Sequence, residues 1–125
     1  KSLHAAQRQS ADWASGGLVS TLQDLTVFLE GLVQGEIFKS EETLSLMMQW
    51  LPTDKEGISY GLGLFYIEGY QMFGHDGHGN AFMYYWIPGA TTFVGTLNQT
   101  RNDWWPLVEA FFEEMEEEDA AQPML

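Results

Sequence analysis

The chain has 125 residues, and its 18 acidic against 5 basic side chains give a formal net charge of −13. This composition argues against a nucleic-acid partner, because phosphate binding requires a surface rich in Lys and Arg. The hydrophobic content of 45% indicates one folded domain. The absence of cysteine excludes disulfides and thiolate chemistry. No apolar run reaches the roughly 20 residues that span a bilayer, and residues 1–10 lack the apolar core of a secretory signal. We therefore expect no membrane partner, and the sequence assigns no compartment.

Two helices are predicted in the first half of the chain. The first follows a glycine pair at positions 16–17, with Ser20 as its N-cap and Gly35 as its end. The second begins at Ser40 and is terminated by Pro52, which has no N–H to donate. Apolar residues recur at helical spacing in both segments. These residues are Leu22, Leu25, Leu29, Leu32 and Val33 in the first helix and Leu44, Met47, Met48 and Leu51 in the second.

From residue 58 onward the pattern changes to the alternation that is typical of strands. Residues 60–67 predict one strand, in which two glycines leave room for close packing on one face. A second strand starts at residues 70–73, a third covers 81–87 and a fourth covers 91–97, with Pro88-Gly89 as a turn. Because the connections are short, the strands should be sequential neighbours in an antiparallel meander of three to four strands.

A last helix is predicted to begin at Asn102 or Asp103 and to bury at least one of the Phe111 and Phe112 rings against the sheet. The fold class is therefore α+β, with two N-terminal helices and a C-terminal helix on the meander. Residues 109–125 carry seven acids and no base, and like charges at this density repel one another. We expect a linker or loose helix at 1–15, a domain at 16–112, and an acidic, disordered tail at 113–125.

The residues that could carry chemistry are concentrated in one glycine-rich stretch, Gly74-His75-Asp76-Gly77-His78-Gly79-Asn80. Glycine there permits a ligand or another backbone to approach a strand edge closely. His75 and His78 could ligate a metal, but on an extended strand their side chains point to opposite faces, so joint ligation needs a turn. The alternative is a hairpin loop with solvated polar residues. We predict neither a metal nor a cofactor.

No activated nucleophile is evident in the sequence. A Ser-x-x-Lys arrangement places a lysine one helical turn from the serine that it deprotonates. No serine precedes Lys39 or Lys55 by three residues, since Glu36 and Pro52 stand there. A Gly-x-Ser-x-Gly segment is also absent.

Several segments occur together in an order that is informative. They are Gly16-Gly17-Leu18-Val19-Ser20-Thr21 with Asp24-Leu25 and Phe28-Leu29, then Tyr60-Gly61-Leu62-Gly63-Leu64, then Gly74-His75-Asp76-Gly77, then Pro88, and finally Leu97-Asn98. This series resembles the serine β-lactamase and penicillin-binding-protein superfamily, and most closely its class C-like branch, which includes DD-peptidases and esterases. The second segment resembles that branch's Tyr-Gly-Leu-Gly-Trp strand, and the third resembles its Gly-His-x-Gly motif. Two departures are Leu64 in place of Trp and Ala81 where glycine is common.

The resemblance covers about residues 16–112 and implies the C-terminal part of that fold, a partial β-lactamase-like fold. The family's Ser-x-x-Lys and Tyr-x-Asn motifs precede this part, and neither is found here. By resemblance, His75 would line the substrate groove and offer a hydrogen bond or a charge to a substrate carboxylate. Gly77 would let the substrate backbone approach, and the backbone N–H of His78 would be one of two oxyanion-hole donors. Asp76 completes the vestigial motif.

Three functional alternatives follow from the resemblance. The chain is a fragment or truncated relative of a serine hydrolase that acts on a β-lactam, peptide or ester, or a subunit whose nucleophile comes from a complementary N-terminal chain, or a non-catalytic self-associating or binding module. One oxyanion donor contributes on the order of 3 kcal/mol, whereas enzymes lower barriers by about 8 kcal/mol or more, so we predict no activity alone. Without the family's N-terminal strands the sheet keeps an open edge, which predicts a homo-oligomer. Members of this family are often periplasmic or secreted.

Overall fold

The computed structural model describes residues 16–77, 80–97 and 103–121, so the predicted linker at 1–15 lies outside the described residues. Helix α1 spans Leu22–Val33, α2 spans Glu41–Met47 and α3 spans Trp105–Ala121. The strands are β1 (Leu51–Pro52), β2 (Ile58–Tyr60), β3 (Phe65–Ile67), β4 (Met72–Asp76), β5 (Ala81–Trp86) and β6 (Thr91–Thr96), and a 3-10 turn at Glu68–Tyr70 joins β3 to β4.

The strands form one open, antiparallel, six-stranded sheet in the same order as in the chain. The α+β class and the pairing of sequential strands are confirmed, but the predicted count of three to four strands is wrong. One extra strand is β1, which contains Pro52, the residue predicted to end the second helix. That helix instead ends at Met47. Proline is tolerated in β1 because an edge strand needs fewer N–H donors.

The other extra strand arises because residues 60–67 form a hairpin instead of one continuous strand. Tyr60 pairs with Phe65, and the N–H of Gly61 donates to the carbonyl of Leu64 at 2.8 Å. Gly63 has a φ of +78°, a left-handed conformation that glycine adopts without steric cost. Both glycines lie in the turn of this hairpin. The close packing expected at the glycines is present at Gly61, where a Cβ would collide with the Met47 carbonyl.

The helix ends follow local sequence signals. Ser40 caps α2 as predicted, since its hydroxyl accepts from the N–H of Glu42 at 3.2 Å. The cap of α1 is Thr21 rather than Ser20, because the Thr21 hydroxyl accepts from the N–H of Asp24 at 3.1 Å. Gly35 follows the end of α1 with a φ of +76°, as expected for a glycine after a helix.

Each face of the sheet has its own core. On one face, Leu29 and Leu32 of α1 pack with Leu64 and Phe73, and side chains of α2 cover this cluster. On the other face, α3 packs against the sheet as predicted. Its core consists of Met72, Phe82, Tyr84, Trp104 and Val108, with Phe112 packed against them.

The acidic segment begins inside α3, which continues through Glu113 to Ala121. The predicted domain boundary at residue 113 stays a prediction, and residues 122–125 lie outside the described part of the chain. None of the helices described has both the length and the apolar character required to cross a membrane.

Candidate functional site

The predicted motif lies where β4 extends past its neighbour β3. Phe65, the first residue of β3, pairs with Gly74, so His75 and Asp76 continue β4 beyond the end of β3. On the other side β4 remains paired with β5 as far as Asp76 and Phe82. The predicted hairpin loop is therefore shorter than residues 74–80, because its first three residues belong to the strand.

An open cleft of about 760 Å³ borders this end of β4. It lies between the loop that joins β1 to β2, the sheet, and the start of α3. One part of its wall is apolar and largely aromatic, and the other part carries charged and polar groups. The apolar wall consists of Ile58, Phe65, Ile67, Trp104 and Trp105, and the polar wall includes Thr53, Asp54, Lys55, His75 and Asp76.

His75 lines the cleft, and both of its ring nitrogens have partners in the protein. Nδ1 lies 2.6 Å from the backbone carbonyl oxygen of Asp76, and Nε2 lies 3.1 Å from the hydroxyl oxygen of Tyr60. A carbonyl only accepts hydrogen bonds, so Nδ1 carries a proton. In the neutral ring, Nε2 then accepts from the Tyr60 hydroxyl. The ring also packs on Phe65, with 4.9 Å between centroids.

Asp76 is bound to the sheet through Tyr84. The hydroxyl of Tyr84, a residue only 2% exposed, donates to Oδ1 of Asp76 at 3.1 Å. Burial, and then the adjacent Asp76 carboxylate, raise the pKa of Tyr84 well above its ordinary value. Tyr84 therefore remains a protonated donor and is unsuited to act as a phenolate base near neutral pH.

The glycines around His75 have different roles. A Cβ at Gly74 would collide with the backbone of Met83 and Tyr84 on β5, so Gly74 is required by strand packing. At Gly77 the nearest described atom to a Cβ would be the carbonyl oxygen of Ala81 at 3.7 Å, an ordinary van der Waals distance, so packing among the described residues does not require a glycine there. Its N–H donates to that same carbonyl at 2.7 Å. His78, the predicted oxyanion donor, lies outside the described residues.

Three residues of the site escape prediction from the sequence. Tyr60 contacts His75 from a position 15 residues earlier, and Lys55 reaches the cleft from the loop before β2. Trp104 stacks on Phe82 and Tyr84 with centroids 4.6 and 5.1 Å apart, and it also lines the cleft. Only Tyr60 belongs to a motif that the sequence singles out. In the part of the chain that the structure describes, no three His, Asp or Glu side chains are grouped to hold a metal ion.

Comparison with known proteins assigns no family to the chain. No protein-family model matches it, and no curated protein and no solved structure matches it either. Function is therefore inferred from the motif order in the sequence and from the geometry of this cleft.

Proposed function

We propose that this chain forms the substrate-groove part of a serine acyl hydrolase of the β-lactamase and penicillin-binding-protein superfamily, with a partial β-lactamase-like fold. The nucleophile comes from a segment other than residues 1–125. The observation that carries the proposal is the placement of Gly74-His75-Asp76-Gly77 at the end of β4, beside an open cleft. The strand continues past β3 there, and an extended ligand can lie alongside it.

Lys55 is the group of the cleft that favours a ligand carboxylate. Among the described residues it is the one Lys or Arg side chain in the lining, which also contains Asp54 and Asp76, so an anionic ligand is favoured by Lys55 and His75 and not by the summed charge of the cleft. Imidazole and ammonium groups attract a carboxylate, while Phe65, Trp104 and Trp105 provide apolar surface for an acyl group. A β-lactam or an acyl-peptide combines these two features.

We expect no acyl-enzyme from this chain alone, because its sequence contains neither a Ser-x-x-Lys nor a Gly-x-Ser-x-Gly segment. Nucleophilic catalysis requires a hydroxyl or thiol activated by a neighbouring base. In the described residues, the hydroxyl that contacts His75 is the phenol of Tyr60, and the buried Tyr84 remains protonated. A serine from another segment, placed across the cleft from His75, would complete the site.

Titration with benzylpenicillin, followed by amide NMR, tests the proposal. We expect non-covalent binding in the millimolar range, with the largest shifts at residues 75–77, and no change in intact protein mass. Lys55→Gln should weaken binding about two- to fivefold, which is the usual worth of a partly exposed charge pair. Lys39→Gln is the matched control, because Lys39 is exposed and lies outside the cleft lining.

Two outcomes would contradict the proposal. A covalent penicillin or fluorophosphonate adduct on any residue would show that the chain carries its own nucleophile. Equal binding of benzylpenicillin and its methyl ester, which lacks the carboxylate charge, would remove the role assigned to Lys55 and His75.

If the neighbouring coding sequence encodes a Ser-x-x-Lys segment, the mass of the native protein distinguishes one longer chain from two complementary chains.

We also propose that the chain self-associates, because several apolar side chains are exposed. Leu18 is 95% exposed and Val19 is 83% exposed, and Leu51 and Leu62 are each more than two-thirds exposed. Strand β6 is the last in the sheet, and no described strand pairs with its outer edge. Such edges pair readily with another chain, and a homodimer with two-fold symmetry is the simplest closed form. Sedimentation equilibrium at micromolar concentration should show a dimer or larger species, and a single 14.2 kDa species would contradict this.

A further inference from the structure

The hydrogen bonds of His75 leave neither ring nitrogen free to bind a ligand. Nδ1–H is directed at the Asp76 carbonyl, and Nε2 is directed at the Tyr60 hydroxyl. His75 lines the cleft but Tyr60 is not part of the lining, so a molecule in the cleft reaches the imidazole from a side that offers no N–H donor. A carboxylate can accept a hydrogen bond from His75 only after one of the two internal bonds opens.

We propose that Tyr60 is a positioning residue that fixes His75 as the neutral Nδ1–H imidazole, and that an anionic ligand must replace the Tyr60 hydroxyl at Nε2. This inference rests on the proposed function, because it concerns how the same cleft binds a carboxylate. The bond to Asp76 joins neighbouring residues of one strand and moves with the strand. The bond to Tyr60 joins β4 to β2, two strands that do not pair directly, and is therefore the one that opens.

The exchange has a defined proton balance. In the closed state, the Tyr60 O–H donates to unprotonated Nε2. In the ligand-bound state, the ring takes up one proton from the solvent, Nε2–H donates to the ligand carboxylate, and Tyr60 keeps its own proton. Among the described residues, the charged side chains that share the cleft with His75 are Asp54, Lys55 and Asp76.

The packing of Tyr60 allows the hydroxyl to be removed by itself. Its ring meets Phe65 edge-on, with 4.6 Å between centroids, and meets His75 at 5.8 Å. Phenylalanine preserves both ring contacts, so Tyr60→Phe removes the hydrogen bond and little else. Tyr66→Phe is the matched control, because Tyr66 stacks on Trp50 with centroids 5.2 Å apart and belongs to the core on the α1 face.

Diethyl pyrocarbonate is a suitable probe, because it transfers a carbethoxy group to the free lone pair of a neutral imidazole nitrogen. Peptide mapping after brief treatment at fixed pH separates His75 from the other histidines. We expect Tyr60→Phe to raise the modification rate of His75 about fivefold. That factor corresponds to about 1 kcal/mol, the net worth of one hydrogen bond. Tyr66→Phe should leave the rate unchanged.

Nitrogen-15 spectra of the free protein give a second readout that needs no ligand. We expect Nδ1 of His75 to resonate as a protonated nitrogen and Nε2 as an unprotonated one, with the Nε2 resonance displaced in Tyr60→Phe. An Nε2–H tautomer in the native protein, or equal carbethoxylation of His75 in the native protein and Tyr60→Phe, would overturn the inference.

Benzylpenicillin separates this inference from the proposed function. When bound, it should protect His75 from carbethoxylation, and it should bind about fivefold more tightly to Tyr60→Phe than to the native protein. Failure to bind either protein would count against the proposed function, while the spectra and modification rates would still decide the role of Tyr60. Binding that is weaker in Tyr60→Phe would show that Tyr60 contacts the ligand, contrary to the inference.

Discussion

Phe112→Ala tests whether aromatic packing on one face of the sheet holds α3 in place. The Phe112 ring lies 4.8 Å from Tyr70, 5.1 Å from Trp86 and 6.0 Å from Phe93, measured between centroids. These three partners belong to the 3-10 turn, β5 and β6, so a single side chain connects α3 to three elements. Phe111 makes one such contact with the sheet, at 4.6 Å from Phe93.

The contacts set the order of the expected effects. Truncation of a buried Phe costs about 3–5 kcal/mol, and each well-oriented aromatic pair contributes about 0.5–1.5 kcal/mol beyond buried area. Phe112 is half-buried but loses three pairs, so we expect a loss of about 3 kcal/mol. Phe111→Ala removes one ring contact with the sheet, so it should lower the free energy of unfolding by about half as much. Leu107 lies on the same helix but is 57% exposed, so Leu107→Ala should change stability by less than about 0.5 kcal/mol.

Urea unfolding of the native protein and the three variants measures these differences as shifts in midpoint at constant slope. All three substitutions introduce alanine in the same helix. The gain in helix propensity is larger for Phe→Ala than for Leu→Ala, but the difference is within about 0.5 kcal/mol and does not change the order. If Phe111→Ala costs as much as Phe112→Ala, or if neither shifts the midpoint, α3 is not held by these ring contacts.

Three further outcomes follow from individual contacts. The pKa of Tyr84 is raised above its ordinary value of 10.0, so the stability that its neutral form provides is complete below about pH 10 and is lost as pH rises further. Unfolding between about pH 9 and 11 should therefore show a shallower decline in Tyr84→Phe, and an identical pH dependence would contradict the burial of the phenol. Asp103→Ala should destabilise the protein by about 1 kcal/mol and Asp103→Asn by less, because the Asp103 side chain accepts from the first-turn N–H of Trp105 at 3.0 Å. Gly74→Ala should lower the free energy of unfolding by about 1–3 kcal/mol in thermal or urea unfolding, because the alanine Cβ would collide with the Met83 carbonyl. An unchanged free energy of unfolding would mean that β4 and β5 lie farther apart.

Local sequence determined the features that depend on neighbouring residues. The cap at Ser40, the glycine after α1, and the extents of β5 and β6 agree with prediction to within about one residue at each end. Hydrogen bonds of a cap and the alternation of a strand involve residues only a few positions apart, so a short window of sequence contains the necessary information. Composition also singles out the cluster at residues 74–77.

Tertiary structure alone decided the hairpin at residues 60–67 and the surroundings of His75. The side chains of residues 60–67 alternate in the sequence in the same way whether the segment is one strand or two strands joined by a turn at Gly61. The alternation therefore does not distinguish the two structures. A contact from another element holds the turn, because the N–H of Leu62 donates to the carbonyl of Met47, at the end of α2, at 2.9 Å. Because of this hairpin, β3 begins only at Phe65, which pairs with Gly74. His75 therefore extends past β3 and contacts Tyr60. Contacts between residues 15 positions apart depend on how strands are placed, and no local pattern encodes that placement.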